Sequence, residues 1–115
     1  MEWACIAEDQ GIAIVLLRPE YRSSSVHTLR ELEQRLVEEI DGCTTGLLID
    51  LSETLYSSGE FLNVLLRCQR RAEQMQRGFA LCRPSALLCR VLAITRLDSL
   101  WEIFPSQHDA IEAMQ

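Results

Sequence analysis

Lysine is absent from this 115-residue chain, and all eleven basic side chains are arginines. Without an ammonium group, Schiff-base chemistry and the lysine of a nucleotide-binding phosphate loop are excluded. No Gly-x-Gly-x-x-Gly turn follows a strand pattern either, which removes the common dinucleotide fingerprint. Glycine and proline are scarce, at five and three residues, so collagen-like repeats, low-complexity linkers and disorder are excluded. No apolar run approaches the roughly 20 residues that span a bilayer. The start Met1-Glu2-Trp3 lacks the basic region of a secretory signal. The expectation is a cytoplasmic domain. The five cysteines, Cys5, Cys43, Cys68, Cys82 and Cys89, contain no Cys-x-x-Cys and lie mostly in apolar segments, so they are expected to be reduced, buried structural thiols. His27 and His108 are far apart and pair with no other ligand at a metal-binding spacing. No metal and no cofactor are expected.

A hydrophobic content of 48% with 24% charged residues suits a single domain over 1–115, able to bury about two-thirds of the unfolded chain's surface. Seventeen acidic residues give a formal charge of −6, which disfavours nucleic acid and anionic lipid as partners, since both require cations to replace counterions.

The apolar stretches Trp3 to Ala7 and Ile12 to Leu17, separated by Glu8-Asp9-Gln10-Gly11, predict an N-terminal hairpin. After Pro19 and Ser23-Ser24-Ser25, apolar residues at Val26, Leu29, Leu32, Leu36 and Ile40 form a helical stripe, with Ser25 as N-cap and Gly42 as stop. The continuous apolar run Gly46 to Leu51 is the expected central strand, covered by helices. A second helix is predicted from Phe61 to Arg77 and ended by Gly78, with Leu62, Leu65, Cys68, Ala72 and Met75 at helical spacing. Phe79 to Cys82 is another strand. Pro84-Ser85 opens a third helix, Leu100 to Phe104 forms a last short strand, and Ser106 to Asp109 is a serine-to-acid cap for a terminal helix through Met114. The order β-β-α-β-α-β-α-β-α predicts an α/β fold, a mainly parallel sheet with crossover helices and an antiparallel opening hairpin. Leu32, Leu36, Leu65 and Leu92 are the expected core, and folding should need neither disulfide nor metal.

Catalytic patterns are missing. None of Cys43, Cys68, Cys82 and Cys89 has an arginine six residues on, as a cysteine phosphatase loop requires, and there is no Gly-x-Ser-x-Gly elbow. Arg67, Arg70, Arg71 and Arg77 on the second helix read as a solvated face, or as a receptor for an acidic or phosphorylated group. Trp3, Trp101, Phe61, Phe79 and Phe104 are scattered and read as core.

The segment from Asp50-Leu51-Ser52 through Ser57-Ser58-Gly59-Glu60-Phe61-Leu62-Asn63-Val64-Leu65 to Arg67 passes from strand through loop to helix. It resembles the signature of STAS domains, the anti-sigma factor antagonist family, which reads Asp-Leu-Ser and, further on, Asp-Ser-Ser-Gly-Leu-Gly-Val-Leu. Downstream, Cys82-Arg83-Pro84-Ser85, Val91-Leu92 and Leu97-Asp98-Ser99-Leu100-Trp101-Glu102-Ile103-Phe104 resemble the family's fourth strand, third helix and closing segment. The resemblance implies a STAS-like domain with four to five strands and about four helices, acting without catalysis. Its implied partner is an anti-sigma factor or related serine-kinase-type switch protein, bound through Tyr56, Ser57, Ser58, Gly59, Glu60 and Phe61. An ungapped register puts Ser58 at the family's Asp and Gly59 at its phosphoacceptor serine, so the acceptor hydroxyl is missing. A gapped register keeps Ser58 or Ser57 as fallback acceptors. Ser57 to Glu60 also reads as a plain capping box, and Glu60 as a fixed negative charge near the place where relatives acquire phosphate. The alternative is an accessory module binding a nucleotide or a transporter component, and a third reading is a small thiol enzyme. A homodimer through the hairpin edge is left open.

Overall fold

The computed structural model describes residues 4–18, 26–54 and 59–115, with the side chains of residues 4 and 26–28 excepted. Trp3, the expected Ser25 cap, and Tyr56, Ser57 and Ser58 therefore lie outside the described residues. The elements run β1 (Ala4–Asp9), β2 (Ile12–Leu17), α1 (Val26–Gly42), β3 (Gly46–Asp50), α2 (Gly59–Gln74), β4 (Gly78–Cys82), α3 (Ala86–Ile94), a 3-10 turn (Leu97–Ser99), β5 (Glu102–Phe104) and α4 (Gln107–Met114). This is the order expected from hydrophobic period.

The five strands lie in the sequential order β1-β2-β3-β4-β5, with β1 antiparallel to β2 and every later pair parallel. Each crossover steps to the next position in the same direction. Right-handed crossovers that always advance one way place their helices on one face. Accordingly Leu32, Leu36 and Ile40 of α1, Phe61 and Leu65 of α2 and Leu88 and Leu92 of α3 share one core with Val15, Leu47, Ile49 and Leu81. The other face, formed by Ile12, Ile14, Leu48, Ala80 and Cys82, is covered by Ala110, Ile111 and Met114 of the terminal α4. All five residues of β3 are buried, as a strand packed on both faces requires.

Local chemistry explains the boundaries. Gln10 and Gly11 connect β1 to β2 with φ of 56° and 83°, the left-handed pair of a two-residue primed hairpin turn. Ser85 caps α3 by accepting from the Leu88 N–H, and Ser106 caps α4 by accepting from the Asp109 N–H.

Two boundaries differ from expectation. Gly78 does not end α2; it starts β4. Gln76 takes the left-handed conformation at φ 58°, and the N–H groups of Gln76 and Arg77 bond the carbonyls of Glu73 and Ala72. This is a Schellman closure with glutamine where glycine is usual. The last strand also starts two residues later than Leu100. The N–H groups of Leu100 and Trp101 return to the Leu97 carbonyl, so both belong to the preceding turn, while the Trp101 ring is buried and its Nε1 donates to Gln69 Oε1 at 2.8 Å. Among the described residues no helix is long and apolar enough to cross a membrane.

Candidate functional site

The segment between β3 and α2 leaves the sheet at the carboxyl ends of the parallel strands, where α/β folds present their ligand and partner sites. Its entry is held by an acid. Asp50, the last residue of β3, is fully buried, and four donors from three parts of the chain converge on it. Its Oδ1 accepts the Ser52 N–H at 2.9 Å, a local turn in which the aspartate side chain stands in for backbone. Its Oδ2 accepts Arg83 Nε at 3.1 Å, a second Arg83 nitrogen, and Gln107 Nε2 at 2.6 Å. Burial pushes the Asp50 carboxyl up, but the hydrogen bonds from Arg83, Ser52 and Gln107 together outweigh it and hold the group below its ordinary value.

Arg83 reaches Asp50 from the β4–α3 connection, with a backbone φ of 54°. A non-glycine residue there costs about 1–2 kcal/mol, which the charge-assisted fork to a desolvated carboxylate offsets. Gln107 is the first residue of α4, so one aspartate ties together the β3 exit, the β4 exit and the helix covering the far face.

The segment's other end is held by packing. Gly59 begins α2, Glu60 is exposed in its first turn, and Phe61 is completely buried in the core beneath the helices. Phe61 is therefore the footing of that turn and presents no surface to a partner. Gly59 has no positive φ, and a Cβ added there meets nothing within 4 Å. Thr54, just before the segment, is buried, and its Oγ1 has no hydrogen-bond partner among the described residues.

The remaining sequence candidates are placed elsewhere. The arginines of α2 are not a uniform solvated face. Arg67 forks onto Glu33 of α1, with contacts of 2.7 to 3.0 Å, and Arg71 onto Asp41 at 3.0 and 3.1 Å. Arg77 donates to the backbone carbonyls of Cys43 and Met75. Arg67 and Arg70 are exposed as expected, whereas Arg71 and Arg77 are half-buried. Cys43, Cys68 and Cys82 are buried as expected, but Cys5 and Cys89 are exposed. Burial pushes the Cys68 and Cys82 thiols up to about 12, so neither is a nucleophile at neutral pH. His108 is exposed beside Glu112.

A family model described as "Mlab, STAS domain" matches residues 23–103. The chain belongs to the STAS domain family. Among solved structures, it is similar to a STAS domain protein of Planctomyces limnophilus, at 20% identity and a TM-score of 0.85, covering 96% of this chain and 97% of that one. It is similar to an anti-sigma factor antagonist of Mycobacterium paratuberculosis, at 21% identity and a TM-score of 0.82, covering 96% and 92%. It is also similar to the Bacillus cell fate determinant SpoIIAA in its phosphorylated form, at 14% identity and a TM-score of 0.72, covering 97% and 99%. No curated protein matches the chain. At these identities the solved structures establish the STAS fold, and the residues at the β3–α2 segment are read from this chain itself.

Proposed function

We propose that this STAS domain is a non-catalytic regulator in the cytoplasm that binds an anti-sigma factor or related serine-kinase-type switch protein through residues 55–58 and the first turn of α2. The observation that carries this reading is the anchoring of the segment at both ends, by the Asp50 cluster and by buried Phe61, with Glu60 exposed between them. Fixed flanking residues reduce the entropy lost when a binding surface is engaged. Glu60 adds a permanent negative charge at a helix N-terminus, where it is favoured by about 0.3–1 kcal/mol.

Interface energy concentrates in a few aromatic anchors, while exposed charges contribute little. The Tyr56→Ala variant is therefore expected to weaken capture of an anti-sigma factor at least tenfold with unchanged thermal unfolding. Arg70→Ala should change it less than about threefold. Titration calorimetry with a purified serine-kinase-type anti-sigma factor reads both. The opposite ranking would place the interface on the α2 flank.

Phosphate control is expected to be absent. Gly59 occupies the acceptor position of the ungapped register and carries no hydroxyl, so incubation with such a kinase and ATP should leave the domain unmodified. The open space around Gly59 and its ordinary φ predict that Gly59→Ser folds with stability changed by no more than about 0.5 kcal/mol and becomes phosphorylated. Intact-mass spectrometry of both proteins is the readout. Stoichiometric phosphate on Ser57 or Ser58 of the unaltered chain would overturn the register.

A second reading is an accessory module bound to a transporter component; the matching family description names no anti-sigma factor. Binding to a purified transporter component but to no anti-sigma factor would select it.

A further inference from the structure

Helix α3 has the sequence Ala-Leu-Leu-Cys-Arg-Val-Leu-Ala-Ile and is apolar on more than its buried side. Leu88 and Leu92 enter the core and Val91 is partly buried against it, while Leu87 and Ile94, seven residues apart, lie on one line about a quarter-turn or more around the helix. Leu87 is 53% exposed, Ile94 82%, and Leu100 in the 3-10 turn packed beside α3 is 51% exposed. A single exposed leucine is ordinary; three large apolar side chains on one short unit form the kind of patch that a partner covers. The basic residues of this unit add the chemistry of that partner. Residues 83–100 carry three arginines and one acid, Asp98, in a chain of net charge −6. Arg83 is committed to Asp50, whereas Arg90 and Arg96 are exposed and enter no side-chain hydrogen bond or ion pair among the described residues.

We infer that the outer face of α3 and the adjoining turn form a second docking surface, separate from the β3–α2 segment, for an acidic amphipathic segment of another protein. Its apolar residues would cover Leu87, Ile94 and Leu100, and its carboxylates would meet Arg90 and Arg96 in forked geometry. Other occupants fit less well. Charges beyond about 8 Å are screened at physiological salt, so a narrow peptide feels the local arginines, whereas an extended anionic lipid plane also meets the rest of a chain of net charge −6. Two copies related by a two-fold axis through this patch would bring identical guanidinium groups together.

The test replaces Ile94, and in a separate protein Glu60, with p-benzoylphenylalanine, irradiates the cells that produce the full chain, and sequences the cross-linked peptides by mass spectrometry. The expected adduct at position 94 maps to an acidic amphipathic segment of another protein. A synthetic peptide of that sequence should bind the unaltered chain and lose about tenfold in affinity to the Arg90→Glu, Arg96→Glu double variant. An adduct only to a second copy, to lipid or to a non-acidic segment, no adduct at position 94, or an affinity indifferent to the charge reversal overturns the inference. The adduct formed from position 60 reports separately on the β3–α2 surface, so either site can fail alone.

Discussion

Replacing Arg83 with alanine is expected to destabilise the fold by about 3–5 kcal/mol at pH 7 and to reverse the sign of its acid dependence. The pair is asymmetric: the Arg83 side chain is 44% exposed, while Asp50 is fully buried. Losing the guanidinium therefore leaves a charge that cannot reach water and retains only Ser52 and Gln107 as donors. The backbone cost at φ 54° is the same for alanine as for arginine, since both carry a Cβ, so the change isolates the ion pair. In the unaltered protein the Asp50 carboxyl lies below its ordinary value. Its contribution is complete above the unfolded-state value near about 4 and is lost as pH falls through the depressed folded value. Without Arg83, only Ser52 and Gln107 oppose burial, the largest single influence, so the folded value is expected to rise above the unfolded one and the deficit to shrink as pH falls from 7 towards 4.5. Urea titrations at the two pH values check this. A loss below about 1 kcal/mol at pH 7, or an equal loss at both pH values, would show that the fork is not what holds the β3 exit.

Phe61→Ala should cost about 3–5 kcal/mol, the value for emptying a fully buried aromatic site, and Phe61→Leu about 1–2 kcal/mol because most of the volume is retained. Both substitutions lie in the first turn of α2, directly beneath the segment proposed to bind the partner. If Phe61 acts only as footing, the folded fraction of Phe61→Leu binds with near-normal affinity, whereas Tyr56→Ala stays folded and does not. Chemical denaturation together with calorimetry on the folded variants separates the two effects. Wild-type stability of Phe61→Ala would remove Phe61 from the core, and a binding defect in folded Phe61→Leu as deep as that of Tyr56→Ala would return it to the contact surface.

The architecture was legible because each element announces itself in a handful of neighbouring residues. The apolar runs at Ile12 to Leu17 and from Gly46, the helical stripes of α1 and α2, and the capping serines Ser85 and Ser106 depend on local backbone geometry alone. They place the elements, while the sequential strand order emerges only from the assembled sheet. The Asp50-Leu51-Ser52 motif similarly marks the strand exit from which the candidate segment leaves.

Side-chain partners were not legible. Arg67 and Arg71 look like surface residues until α1 lies beside α2 and brings Glu33 and Asp41, 34 and 30 residues upstream, within reach. Cys89 was expected to be buried and is exposed, with Leu87 and Ile94, because α3 is apolar around most of its circumference and period alone cannot choose its inward side. Gln76 could not be foreseen as the left-handed closure of α2 while Gly78 stood two residues on, where strand pairing, not helix termination, claims it.

The sequence by itself determined the α/β class, the element order and the family signature, since these depend on local pattern and residue identity. Only the tertiary structure decided that Asp50, Arg83 and Gln107 form one cluster, that Phe61 is fully buried, and that α3 turns apolar residues outward. Those facts depend on which distant elements become neighbours, and desolvation, pairing and exposure acquire values only once that packing exists.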